Sequence, residues 1–289
     1  MIDQLEIWKA QEQAELPGKP YDKWITPAGE VAAEFHREPE GYRIRFPGDA
    51  DFRIDGESLA VRCQPVPGAE RDVIETLFVN SVLPVIGNHS GQLNLHGSAC
   101  ALPGGAAAFI GQSRRGKTTL AGACARAGYP FLTEDVIRLG PNALAYDVVP
   151  VRPCLRLFGD SAAYLRNESV EPGAETIKTS LAASEHLPFA DTVSPLRVIY
   201  VLGPGNAPAP SFVPIDPQHA LPEVMQHAFV LDVEDKPRLQ AHFERLSDLA
   251  LNIPFVMLDY PRLFSELSGV VQAIVDDVAE RGNRTNGSK

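Results

Sequence analysis

Between an apolar run, Ala106 to Ile110, and a run rich in alanine and leucine, Thr118 to Ala127, stands the stretch Gly111 to Thr119, GQSRRGKTT. It fits the pattern GxxxxGK(S/T), in which glycines let successive backbone N–H groups turn around phosphate oxygens at the positive end of the following helix. Strand, tight loop and helix are therefore expected in that order. Gly128 and Pro130 supply the stop signals that should end the helix. Each loop residue, Gly111, Gln112, Ser113, Arg114, Arg115, Gly116, Lys117, Thr118 and Thr119, is a candidate for holding the phosphates of ATP. In this pattern Lys117 reaches the β and γ phosphates. Thr118 offers its hydroxyl to Mg2+, which bridges phosphate oxygens and spreads the charge of a transferred phosphoryl group.

The chain has 289 residues, enough for a nucleotide-binding domain and a smaller accessory one. Its net charge is −11 and no lysine or arginine block stands out, which argues against nucleic acid as a partner. The start, MIDQLEIWKAQEQ, has neither a cationic lead nor an apolar core. No stretch approaches the roughly eighteen apolar residues of a membrane span, so neither a signal peptide nor membrane insertion is expected. Cys63, Cys100, Cys124 and Cys154 form no CxxC pair. Reduced thiols in a cytoplasmic protein fit that scatter.

In chain order, residues up to about Pro39 read as a turn-rich periphery. From Gly41, the alternation of Tyr42, Ile44, Phe46, Phe52, Ile54, Leu59, Val61 and Cys63 predicts a small antiparallel sheet. Helical spacing over Ala69 to Ile86 predicts a helix. A small β-rich domain over 1–90 is the expected result, with a P-loop domain over 91–281 and a polar tail, 282–289, expected to be disordered. Gln92 to Leu102 and the strand entering the loop should form a hairpin about Pro103, Gly104 and Gly105. Pairing Leu102 with Ala106 sets His96 opposite Gln112, beside the phosphate loop. From position alone, His96 could touch the γ phosphate or merely satisfy neighbouring backbone groups.

After the loop helix, Tyr129, Phe131 and Leu132 form a short strand that ends in Thr133, Glu134 and Asp135. Acidic residues at that sheet edge can complete a magnesium shell or take the proton of an attacking hydroxyl. A second hairpin follows about Gly140, Pro141 and Asn142. Then, in VPVRPCLRLFGDSAAYL, Arg152 and Arg156 are candidates for gripping a phosphate or an acceptor's carboxylate. Lys178 lies in a polar stretch. Leu196 to Leu202 reads as a buried strand, Asp216 as the cap of a helix through His227, Pro237 to Leu251 as a helix and Phe255 to Leu258 as a strand. Pro261 should open a last helix through Ala279. Hairpins among α/β units predict an α/β core with a mixed sheet rather than a plain doubly wound one.

The segments LHGSACAL and FIGQSRRGKTTLAGACARAGYPFLTED, from His96 to Asp135, together resemble the catalytic core of bacterial HPr kinase/phosphorylase. That resemblance implies an HPr-kinase-like fold and places His96 at the active-site histidine, Lys117 and Thr118 at the loop pair, Glu134 at the acceptor-activating carboxylate and Asp135 at the magnesium side. Arg114 stands where that family usually has glycine, and Glu134 where it has aspartate. No Glu-x-Arg-Gly-x-Gly segment is present, which implies that reversal by inorganic phosphate is absent or weak. The small N-terminal β domain, VPVRPCLRLF and the late Tyr260-Pro261-Arg262 resemble the kinases encoded beside lasso peptide genes.

These resemblances imply a cytoplasmic serine kinase using ATP and Mg2+. Its partner would be a peptide or protein acceptor with a serine hydroxyl, preferably the C-terminal serine of a lasso peptide precursor, with no nucleic acid and no membrane. Assembly into a homo-oligomer is left open. The alternatives are an HPr-type phosphocarrier kinase, a small-metabolite kinase, or a non-catalytic nucleotide-binding regulator.

Overall fold

Alternating apolar residues build the first sheet of the protein. The structure is a computed structural model that describes residues 5–26, 28–143, 145–169 and 178–286. Six strands pair here: β1 (Glu6–Ile7), β2 (Asp22–Ile25), β3 (Val31–Glu38), β4 (Gly41–Phe46), β5 (Ala50–Asp55) and β6 (Val61–Pro65), in the order β1-β6-β5-β4-β3-β2. Phe35, Ile44, Phe52 and Cys63 stand opposite one another across β3, β4, β5 and β6, and all four are fully buried. Burying each large member of such a row contributes about 1.5–3 kcal/mol. The presumed periphery before Pro39 is thus part of this sheet, because Trp24 and Phe35 pack edge to face at 5.1 Å.

The helix expected over Ala69 to Ile86 forms as α1 (Arg71–Leu77) and α2 (Leu83–His89), joined by a π turn over Phe78–Val82. Leu83 N–H reaches back to Phe78 O, and Pro84 has no N–H to continue the ordinary ladder, so the helix widens just before it.

The chain divides into two compact units: Met1–Ser90 with Val230–Leu239, and Gly91–Phe229 with Gln240–Lys289. Val230–Leu239 was expected within the second domain. It clusters with the first because its buried Asp232 accepts from Arg37, and Tyr21 Oη donates to Leu231 O.

In the second unit the strands are β7 (Leu93–His96), β8 (Ser98–Leu102), β9 (Gly105–Ile110), β10 (Phe131–Thr133), β11 (Val136–Pro141) and β12 (Tyr146–Val149), followed by β13 (Cys154–Phe158), β14 (Lys178–Ala182), β15 (Ser194–Leu202), β16 (Ser211–Ile215) and β17 (Phe255–Asp259). Among the described residues, β13 and β14 pair as a ribbon and the other nine strands form one sheet. At its centre β15 runs parallel to β9 and β17, while the hairpins β8–β9 and β11–β12 are antiparallel. The sheet is mixed, as the pattern predicted.

The helices of this part of the chain are α3 (Lys117–Arg126), α4 (Gly159–Arg166), α5 (Pro217–Met225), α6 (Lys236–Asn252) and α7 (Leu267–Asn286). Strand alternation sends Phe109, Tyr200 and Val256 to one face, against Leu120 of α3 and Ile274 of α7. Ile110, Ile199 and Phe255 go to the other, against Val224 of α5 and Leu249 of α6. Both faces of the central strands are therefore covered, and their C-terminal ends carry the loops.

Two expectations at the end of the chain are corrected. The last helix starts not at Pro261 but after a 3-10 turn, Phe264–Glu266, because Leu263 is still extended at φ −112° and ψ 130°. It also continues to Asn286 rather than giving way at 282, helped by Arg281 bonding Asp277 one turn back. Residues 287–289 of the expected tail lie outside the described residues. No helix among the described residues is long and apolar enough to cross a membrane.

Candidate active site

The loop after β9 turns on Gly111 and Gly116, with φ of 144° and 84°. A Cβ on Gly116 would stand 3.2 Å from Tyr260 Oη, so glycine answers both the left-handed backbone and the close neighbour. Arg114 holds φ 64°, a conformation that costs a side-chain-bearing residue about 1 kcal/mol or more. Its guanidinium lies over the Phe158 ring, 5.2 Å from the centroid, which offsets part of that strain. Lys117, the first residue of α3, is buried, and its Nζ donates to Gly111 O at 2.8 Å and Gln112 O at 3.1 Å. Burial pushes this amine down to about 8, against the pull of the Asp135 carboxylate.

His96 reaches the same place by a route the hairpin reading missed. Leu102 pairs with Gly105 rather than with Ala106, and Ser98 with Phe109, one residue off the expected register. At Gly97 the chain leaves the ladder with β9, so His96 ends β7 and pairs with Val136 of β11 instead of facing Gln112. A Cβ at Gly97 would lie 2.5 Å from both Phe109 O and Ile137 Cδ1, so only glycine permits the crossing. The His96 ring bonds the Asp135 main-chain carbonyl and also borders the cavity, so the two roles left open for it are compatible. Burial, reinforced by the Lys117 charge, depresses it to about 4, which leaves it neutral at physiological pH.

The acidic pair is split by one turn. Val136 N–H donates to Glu134 O at 2.7 Å around Asp135, whose φ is 58°, giving the strained, positive-φ form of the three-residue turn. Asp135 lines the cavity. Glu134 stays buried behind it, and its Oε2 has no hydrogen-bond partner among the described residues. Burial first, and the neighbouring Asp135 second, raise Glu134 well above the ordinary carboxylate value, while Lys178 and Arg156 pull it back.

The opposite wall comes from the β13–β14 ribbon, where Phe158 faces Lys178 across the ladder and Arg156 lies one alternation earlier. Arg156, Phe158 and Lys178 all line the cavity, whose volume is about 330 Å3. Asp160 and Ser161, in the first turn of α4, close it, with Ser161 Oγ 2.9 Å from Thr119 Oγ1. Ser113, Thr118 and Thr119 border it. The side chains of Gln112 and Arg115 bond each other instead. Arg152 does not line it, because it precedes β13 and so lies outside the ribbon that carries Arg156 to the cavity. The sequence reading missed Asp160, Ser161 and Phe158, and also His227, whose carbonyl accepts from His96 N at 2.6 Å and whose ring is depressed to about 4 by burial, Lys117 and His96. The alternation Arg156, Phe158 was a usable signal; His227 at a helix end had none.

Among the described residues there is no group of three or more His, Cys, Asp or Glu side chains fit to hold a metal. Thr118 and Asp135 bordering one cavity nevertheless suit magnesium, which takes one or two protein oxygens and fills its shell with phosphate and water.

An α/β protein with a glycine loop, four cations and two carboxylates around one cavity is what the fold and site define. No protein-family model matches the chain, and no curated protein matches it. Among solved structures it is similar to the HPr(Ser) kinase/phosphatase from Coxiella burnetii, at 12% identity over 62% of this chain and 94% of that one, with a TM-score of 0.32. At that score the likeness decides nothing about the site, whose chemistry is carried by its own residues.

Proposed function

We propose that the chain is a serine kinase of the HPr-kinase-like type, working in the cytoplasm on a protein or peptide acceptor. The observation that carries this reading is that Lys117, Thr118, Asp135 and His96 border one cavity at the start of α3, with Glu134 buried behind them. Magnesium with ATP would supply the phosphoryl group and neutralise charge on its oxygens.

In this reading the loop is a P-loop (Walker A). Its backbone N–H groups and Lys117 hold the β and γ phosphates, and Thr118 and Asp135 hold the metal. Glu134 takes the Oγ proton of serine as the new Oγ–P bond forms and the bond to the β-phosphate oxygen breaks, with ADP leaving. Lys178 and Arg156 favour its ionised form, the one able to accept, and burial favours the proton once it has been taken. Neutral His96 fixes the acidic turn through the Asp135 carbonyl and offers its ring toward the phosphates without adding charge.

Arg156 and Lys178, the two cations acting on Glu134, fit an acceptor that bears its own negative charge beside the hydroxyl. The C-terminal serine of a lasso peptide precursor has that chemistry, and for this reason it is preferred over the HPr phosphocarrier. Four free thiols suit a reducing compartment.

The test is incubation with magnesium and γ-labelled ATP, a peptide ending in serine, and the same peptide amidated at its C-terminus. Label should reach the terminal serine, fall on amidation and vanish with Lys117→Ala. Tight ATP binding with no labelled acceptor, peptide or protein, would instead favour a nucleotide-binding regulator.

A further inference from the structure

A second cavity of about 160 Å3 lies against the same loop, and Arg114, Gly116, Thr119, Asp160 and Ser161 belong to the walls of both. Its remaining wall has another character: Tyr260, Arg262, Leu263, Phe264 and Leu267. His96 and Asp135 border only the first cavity. Two compartments therefore flank the glycine loop, one with the acid–base groups and one apolar and aromatic.

The second compartment is built around Arg262. Its guanidinium lies 3.7 Å from the centroid of the Tyr260 ring, and Nη2 donates to Gly203 O at 2.8 Å. The loop after β15 is folded in to meet it. Asp259 accepts the N–H groups of Gly205, Asn206 and Ala207 at 2.6, 3.1 and 3.0 Å, which pins that loop. A Cβ on Gly205 would come within 2.6 Å of Arg262 Cγ, and one on Gly203 within 2.8 Å of Asp259 Cβ, so both glycines are required for the close fit. The result is a clamped, planar cation whose Nη1 is buried and has no hydrogen-bond partner among the described residues. At the rim, Leu263 is 59% exposed although it is large and apolar.

We infer that this second compartment receives the nucleoside half of the nucleotide, with the base laid against the Arg262–Tyr260 stack and the ribose hydroxyls facing Asp160 on the shared wall. The inference rests on the kinase reading of the loop. If the γ-phosphoryl faces Glu134 and Asp135, the α-phosphate leads away from them, and the compartment that adjoins the loop without those acids is the second one. A guanidinium plane over an aromatic ring is a stacking surface for a flat heterocycle. Leu263 and Phe264 would cover the edge of the base.

Calorimetric titration of wild type, Arg262→Ala and Leu263→Ser with magnesium ATP and with magnesium tripolyphosphate tests this. Arg262→Ala should weaken ATP about tenfold and leave tripolyphosphate unchanged. Leu263 is exposed, so Leu263→Ser should fold as wild type does and weaken ATP by a smaller factor, again sparing tripolyphosphate. Equal weakening of both ligands, or of neither, in the Leu263→Ser protein would overturn the nucleoside assignment while leaving the loop reading intact. So would a change confined to the KM of an acceptor peptide. Failure of wild type to bind either ligand would remove the loop reading itself.

Discussion

Two buried carboxylates, Asp51 in the first unit and Glu134 in the second, are treated in opposite ways. In the first, buried Asp51 accepts from Arg45 Nε and Nη2 at 2.8 Å each, from Arg43 Nη1 at 3.2 Å and from Gln13 Nε2 at 2.9 Å, while Arg43 also pairs with Glu38. In the second, Glu134 is as buried as Asp51 but keeps an unpartnered oxygen among the described residues. Lys117 is held by main-chain carbonyls, and burial lowers the proton affinity of His96. A charge answered on every side stabilises a fold. One left with unmet demand is held ready for a ligand, and perturbed ionisation clustered at a cavity marks a site of chemistry.

The strongest way to break this contrast is at Glu134. Glu134→Gln should leave magnesium ATP affinity nearly intact and slow phosphoryl transfer by about a hundred- to ten-thousandfold. Asp135→Asn should instead weaken binding and rate together. Single-turnover rates with nucleotide titrations separate the two, and a wild-type rate for Glu134→Gln would show that the buried carboxylate is not the base.

Next in size is the loss from an answered charge. Asp51→Ala strands Arg45 and one end of Arg43, and should lower the stability of the first unit by about 3–5 kcal/mol in urea unfolding. A loss below 1 kcal/mol would mean that the cluster is not what holds that sheet.

Magnesium ATP at a hundred times its dissociation constant should stabilise the protein by about 2.7 kcal/mol, and Lys117→Ala should remove most of this. Equal thermal shifts in the two proteins would refute the role given to Lys117.

The smallest effect concerns pH without nucleotide. Folded Glu134 holds its proton above the ordinary value of 4.5, so the folded state binds more protons than the unfolded one and stability falls as pH rises through that window. Glu134→Gln lacks this slope, so its melting temperature should draw ahead of wild type as pH increases from 4.5 toward neutrality. His96 acts in the other sense: depressed to about 4 from 6.5, it contributes stability above 6.5 that is lost as pH falls toward 4. Since both proteins keep His96, the difference between their melting curves isolates Glu134.

Much of the second unit could be read locally. The strand, loop and helix around GQSRRGKTT form where glycine freedom and apolar periodicity require them, with Gly128 at φ 92° just past the end of α3. Asp216 caps α5 by accepting from His219 N–H, as its position before a helical run suggested. The register of His96 was less legible, because pairing across a hairpin depends on where the chain leaves the ladder. Gly97 makes that departure through a contact with Ile137, a residue forty positions away in the chain. The grouping of Val230–Leu239 with the first unit was hidden for the same reason, since Asp232 and Arg37 meet only after folding.

What the amino-acid order determined by itself is whatever depends on neighbours in the chain: the glycine loop and its lysine, the strand and helix that flank it, and the adjacent acidic pair. Only the tertiary structure decided which side chains share a cavity. Arg156 and Lys178 were brought to the site and Arg152 left out of it by the ribbon β13–β14, and Glu134 was buried while Asp135 was turned outward by a single strained residue. Ionisation followed from that placement, because desolvation and the approach of distant charges act through space rather than along the chain.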